Sequence, residues 1–162
     1  MFMDALEIPI GIAEYKVTRE PNRLITLGLG SCVGVSIYDT VARVGGLIHI
    51  MLPDSTLFEK QTSKTGKFAD TGIPLMIRDM LTYGVKINNL EAKLVGGAQM
   101  FDGVDHFRIG QRNVEKSDHI LSRIGIRVVA RETGGNKGRT MILDTVTGQV
   151  TIRLLGKQIK II

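Results

Sequence analysis

Apolar and polar positions change rhythm several times along this chain, and each rhythm predicts an element. From Ile12 to Thr18, Ala13, Tyr15 and Val17 alternate with Glu14 and Lys16, the two-residue period of a half-buried strand. Pro21-Asn22 marks a turn, and Arg23–Leu29 reads as a second strand that breaks into a glycine-rich loop. Cys32–Asp39 and Val44–Leu52 are dense in Val and Ile, so both read as strands, with Asp39–Arg43 as the turn between them and Pro53 as the stop. Leu90–Val95 alternates again, and Ile126–Ala130 is a further strand. Arg139–Asp144 and Gln149–Leu155 form a hairpin about Thr147-Gly148.

Helical spacing occurs twice. Ile73, Met76, Ile77, Met80 and Leu81 fall on one face, with Asp70 and Thr71 as candidate caps, Pro74 suited to a first turn and Gly84 as the stop. Val114, Ile120, Leu121 and Ile124 form the stripe of a second helix over Gly110–Ile124, ended by Gly125. Asp54–Lys67 is polar without an apolar period and reads as a loop, of a length that goes with function or mobility. Asp102–Ile109 and Thr133–Gly138 are loops as well. Strand-rich segments around two helices predict the α+β class, with helices on one or both faces of a largely antiparallel sheet.

Composition narrows this picture. The 162 residues suit one domain, 1–162, able to bury a core without metal or disulfide staples. Aromatic residues are 5% and tryptophan is absent, so the core is expected from Ile, Val, Leu and Met, with Met76 and Met80 as fillers. The net charge of +5 permits an acidic partner or a nucleic acid. The basic residues are scattered, however, and the densest group (Arg108, Arg112, Lys116) is interrupted by acids and apolars. With no stretch interleaving aromatic and basic residues, nucleic-acid binding is not expected, and an acidic protein surface explains the charge as well. Met1–Glu7 holds acids rather than a basic stretch leading into an apolar run, so no signal peptide is expected. No apolar run approaches the roughly 20 residues needed to span a bilayer. One unpaired cysteine fits a reducing cytoplasm.

That cysteine, Cys32, carries the candidate chemistry. It lies in Thr26-Leu-Gly-Leu-Gly-Ser-Cys-Val-Gly34, which leaves two readings: a packing residue or a reactive thiol. If Cys32–Asp39 and Val44–Leu52 pair about the 39–43 turn, Cys32 lies opposite residues 49–51, and His49 comes within reach. The side chains meet only if both leave one face of the sheet, and a one-residue slip sends His49 to the other. A thiolate attacks a carbonyl and a neighbouring imidazole takes its proton. Thr26, in the preceding strand, is the candidate third group that holds the ring in one tautomer. Backbone amides of the glycine loop, Gly30 and Ser31 among them, are candidates for an oxyanion hole.

Each residue also has a plain reading. A cysteine in an apolar strand is ordinarily core, His49 between Ile48 and Ile50 fits a satisfied core histidine, and threonine is common in strands. Gly28, Gly30 and Gly34 do not make a dinucleotide fingerprint: the third glycine comes one place late and a strand follows. His106 and His119 read as surface residues, and without a carboxylate at ligand spacing no metal site is expected; hydrolysis by a thiol and an imidazole needs no metal or organic cofactor.

The run Thr26–Cys32 followed by Gly45-Gly-Leu-Ile-His-Ile-Met-Leu-Pro53 resembles the chemoreceptor glutamine deamidase family, CheD. The resemblance extends through Lys67–Tyr83, Leu94–Phe101, Ile109–Asn113, Thr133–Arg139 and Asp144, nearly the whole chain. It implies an α/β sandwich similar to bacterial toxin deamidases and a cysteine hydrolase that converts chosen chemoreceptor glutamines to glutamate, in some members with methylesterase activity. It implies a Cys-His-Thr site, carried onto Cys32, His49 and Thr26. It also implies a partner, the CheC phosphatase, which is stimulated in the complex while the deamidase is held back. The candidate surface for that partner is the segment ending at Phe101, whose plain reading is a strand-to-loop turn. A regulatory module that engages CheC with little catalysis is the alternative function, and a redox-sensing thiol a weaker one.

Overall fold

The alternating segments assemble into two sheets rather than one. The structure, a computed structural model, describes residues 4–57, 64–100, 108–155 and 157–162. In chain order the elements are β1 (Glu7–Ile10), β2 (Tyr15–Arg19), β3 (Arg23–Leu29), β4 (Val33–Asp39), β5 (Val44–Ile50), α1 (Ala69–Leu81), β6 (Leu90–Gly96), α2 (Ile109–Ile124), β7 (Arg127–Thr133), β8 (Arg139–Asp144), β9 (Val150–Leu154) and β10 (Lys157–Ile161). One sheet runs β1-β3-β8-β9-β10 and the other β2-β5-β4-β6-β7. Pairing is antiparallel except between β1 and β3 and between β6 and β7.

Both helices pack on the second sheet, α1 against β5 and β2, α2 against β7, β4 and β6. The layers are therefore sheet, sheet, helices, which gives the expected α+β sandwich two apolar cores. One core lies between the second sheet and the helices and joins Val33, Val35, Ile37, Ile48 and Ile50 to Ile73, Met76 and Met80. The other lies between the sheets and joins Leu24, Leu29 and Leu47 to Met141 and Leu143. Covered on both faces, β4 and β5 are buried at every position, the polar Ser36, Asp39 and His49 included, so exposure does not alternate along them.

Side chains still alternate between the two cores. In β5, Ile48 and Ile50 face the helices while Leu47 faces the first sheet. A Cβ added at Gly34 would come 2.6 Å from Met141 Sδ, so that position of β4 also faces the first sheet. Gly34 pairs with His49, and paired residues leave a sheet on one face. His49 therefore points between the sheets.

Several expectations change. β1 and β10 were not anticipated: β1 is four residues with a central Pro9, and all five residues of β10 are exposed, so neither prints a burial rhythm. The strand expected from Ile12 starts at Tyr15, because Gly11–Glu14 is a turn with Ala13 at φ 65°. Helix α1 begins at Ala69 without a side-chain cap. Asp70 instead accepts hydrogen bonds from the Ser55 amide (3.0 Å) and hydroxyl (2.7 Å), which pins the start of the long polar loop. Leu81, placed on the apolar face by its spacing, is 45% exposed at the helix end. Strand β7 continues past Ala130 to Thr133 because it stays paired with β6 as far as Gly96.

Candidate active site

Thr26 occupies the inward face of β3, beside Ile10 of β1 and Met141 of β8. Beyond it the strand bulges. The register skips between Thr26 and Leu29, Gly28 takes φ 68°, and Leu27 is turned out to solvent at 63% exposure. A bulge of this kind re-aims the chain and makes a left-handed residue, hence a glycine, necessary. Leu29 returns to the core, and the loop Gly30-Ser31-Cys32 is carried across from the first sheet to the start of β4 in the second.

Cys32, two residues before the inward-facing Gly34, packs against the core between the sheets and is half-buried. Extending the β4–β5 register places it opposite Met51 and diagonal to His49. Diagonal neighbours on one face are within reach of long side chains. The register is thus the one that puts thiol and imidazole on a common face.

His49 is fully buried and Thr26 is 1% exposed. The Thr26 hydroxyl lies 2.9 Å from the Ile10 carbonyl and 2.7 Å from His49 Nδ1. A carbonyl accepts and cannot donate, so the single hydroxyl proton goes to Ile10. His49 Nδ1 must then carry the ring proton and donate it to Thr26 Oγ1. This assigns the tautomer from the hydrogen-bond network: Nε2 is left with a bare lone pair. Nε2 has no hydrogen-bond partner among the described residues, the thiol included.

Burial sets the electrostatics. It lowers the His49 pKa from its ordinary value of 6.5 to about 4, and raises the Cys32 thiol, an effect partly offset by the cysteine's own backbone amide near the sulfur. At neutral pH the pair is therefore a neutral thiol beside a neutral imidazole, not an ion pair.

The loop before β4 is held by its carbonyls. The Gly30 carbonyl accepts from the Ala98 amide (2.8 Å), that of Ser31 from Asn113 Nδ2 (3.0 Å) and that of Cys32 from the Gly97 amide (2.8 Å). The Gly30 amide donates to the Gly28 carbonyl at 3.0 Å, so it is not available as the oxyanion donor for which the sequence nominated it. The amides of Ser31 and Cys32 meet no acceptor among the described residues. Met100, 44% exposed, lies over Gly30, where an added Cβ would come 3.1 Å from its Cγ.

A cavity of about 370 Å³, lined by Gly97, Gln99, Arg108, Gln111 and Gly134 among others, includes none of Cys32, His49 and Thr26. Phe101 and His106 lie outside the described residues, and His119 is exposed as expected. Among the described residues no group of His, Cys, Asp and Glu is arranged to hold a metal ion.

Asn113 escaped the reading of the sequence, although its signal was there. It lies on the inner face of α2 with Ser117 and Leu121, all buried, and a polar amide at such a position needs partners. Its Nδ2 donates to the carbonyls of both Ser31 (3.0 Å) and Met51 (2.9 Å), bridging the chain just before β4 to the chain just after β5.

Comparison with known proteins points the same way. A family model described as "CheD chemotactic sensory transduction" matches residues 51–154. The chain is 61% identical over 159 residues to a protein of Desulforamulus reducens named "Probable chemoreceptor glutamine deamidase CheD", covering 96% of this chain and 95% of that one. Proteins of the same name from Moorella thermoacetica and Clostridium kluyveri are each 48% identical. The alignments cover 96% and 98% of this chain and 95% and 99% of theirs.

Proposed function

The chain belongs to the CheD family, and we propose the route by which its own residues carry out the family's reaction, deamidation of chemoreceptor glutamine to glutamate in chemotaxis. It is a protein-glutamine amidohydrolase. Cys32 is the nucleophile, His49 the acid and base, and Thr26 the group that orients the ring.

The observation that carries this reading is the bond between Thr26 and His49. It leaves Nε2 as an unpartnered acceptor on the face from which Cys32 approaches. As Sγ attacks the side-chain amide carbon, its proton passes to Nε2, and the former carbonyl oxygen becomes an oxyanion facing the Cys32 and Ser31 amides. The protonated ring gives that proton to the amide nitrogen, ammonia leaves and a thioester remains. Water, deprotonated by Nε2, attacks the thioester. Glutamate is released and the thiol recovers its proton. No redox change or external cofactor is needed. A glutamyl methyl ester presents the same acyl carbon with methanol as leaving group, so methylesterase activity belongs to the same proposal.

The half-open position of Cys32 suits a side chain presented by another protein's surface. The family resemblance supports two further parts of the proposal: a cytoplasmic location, consistent with the absence of a membrane-spanning helix among the described residues, and binding of a CheC phosphatase. The catalytic reading is tested by incubating the enzyme with a receptor cytoplasmic fragment and reading peptide masses. Each modified glutamine should gain the mass difference between NH2 and OH, and Cys32→Ala should abolish the gain. Deamidation surviving in Cys32→Ala would remove Cys32 from the mechanism.

A further inference from the structure

We propose that Asn113 is a positioning residue of this site, one that aims the Cys32 amide at the oxyanion. The inference rests on Cys32 being the nucleophile. A peptide unit is planar and trans, so its carbonyl and its N–H point in opposite directions. The Ser31 carbonyl and the Cys32 N–H belong to one such unit. Whatever grips that carbonyl on the α2 side therefore fixes the amide on the other side, the nucleophile's own N–H.

The grip comes from the Asn113 side chain. Both of its Nδ2 hydrogens are committed, one to Ser31 and one to Met51. A flipped amide would set Oδ1 against two carbonyl oxygens, so the orientation is determined by chemistry. The neighbouring units are held by backbone: the Gly30 carbonyl by Ala98 and the Cys32 carbonyl by Gly97. Asn113 is the side chain in this set, and it supplies the tie that bears on the nucleophile's own amide.

Packing does not account for its presence. Asn113 is fully buried, and its Oδ1 has no partner among the described residues. An unpaired buried acceptor is unfavourable, and an apolar residue would fill the same face of α2 without it. The amide is retained for what its two donors hold.

The test separates oxyanion stabilisation from thiol reactivity. Alkylation of Cys32 by iodoacetamide needs the thiolate but forms no oxyanion, whereas deamidation needs both. Asn113→Ala, and Asn113→Leu, which keeps the bulk but has no donor, are compared with the unaltered enzyme on a receptor fragment at fixed pH. The expected result is a fall in kcat of at least roughly tenfold with KM little changed, while the Cys32 alkylation rate stays within about twofold. Undiminished kcat would overturn the proposal. So would a parallel loss of alkylation, which would place the effect on the thiol, or failure of both variants to fold, which would make the tie a folding requirement. Cys32→Ala, run alongside, shows independently whether the nucleophile itself is rightly assigned.

Discussion

Two hydrogen bonds on one hydroxyl decide what His49 is able to do. Because Thr26 must donate to Ile10, it accepts from Nδ1, and the ring is left with Nε2 as a bare acceptor. The sequence named all three residues but not this polarity, because Ile10 lies in β1, a strand that its pattern did not announce. The roles separate in a Thr26 series. Thr26→Ser keeps the hydroxyl and should retain most of the activity. Thr26→Val keeps the shape, leaves Ile10 and Nδ1 unpaired in the core, and frees the ring to change tautomer. A loss of roughly 10- to 100-fold in kcat is expected, with about 1–3 kcal/mol of stability lost in denaturant unfolding. Equal activity in the two variants would show that the ring is held by packing alone. In the unaltered enzyme, kcat/KM should be level over about pH 6–8, because His49, the proposed base, is already neutral there. Its acid limb should fall near pH 4, where His49 protonates, rather than at the ordinary histidine value of 6.5.

At the scale of elements, the site is the place where two strands of different sheets end together. The β4–β5 hairpin was legible, since two Val- and Ile-rich runs about a short turn pair in few ways. Its register was not, and what fixes it is tertiary: helices on one face, the first sheet on the other, and glycines where the layers come close. The end of β6 is such a place. Gly96 has φ 106°, and an added Cβ would collide with the carbonyl of Cys32, a backbone atom that has no rotamer by which to move aside. The sequence reads the segment from Gly96 to Phe101 as a strand-to-loop turn, yet Gly96-Gly97 acts as a wall behind Cys32, with Gly97 donating to the Cys32 carbonyl. Gly96→Ala is therefore expected to displace the backbone at Cys32. Thermal unfolding should report a loss of about 2 kcal/mol or more, and deamidation should fall further than stability alone explains at a temperature where the variant is folded. An alanine variant with unchanged melting and turnover would show that the backbone there adapts freely.

The whole molecule was readable as α+β because strand and helix periods differ, but its layering was not. Nothing in a period of two tells one sheet from two, and β4 and β5 have no exposed face to mark a solvent side. That layering is what buries a titratable ring at the centre of the fold, so His49 should leave a mark on global stability. Its folded pKa, about 4, lies below the ordinary 6.5 expected of the unfolded chain. Between those values the unfolded state binds the extra proton, so the contribution of His49 to stability is complete above pH 6.5 and is lost as pH falls through 4. The expected loss between pH 7 and pH 4 is on the order of 3 kcal/mol. Glu14 and Asp54, whose carboxyls are held low by Lys64 and by Thr56, contribute in the same direction but below their ordinary values of 4.5 and 3.8. The two sources are separable, because the carboxylates act at the acid end and His49 acts above it. Urea unfolding of His49→Gln at several pH values should give a profile nearly flat from pH 7 to about pH 5, then falling as the carboxylates protonate. The unaltered protein should already have lost most of the histidine contribution by then. Parallel profiles for the two proteins would mean that His49 takes up its proton in the folded state as readily as in water, and that the site between the sheets is wetter than the packing around it implies.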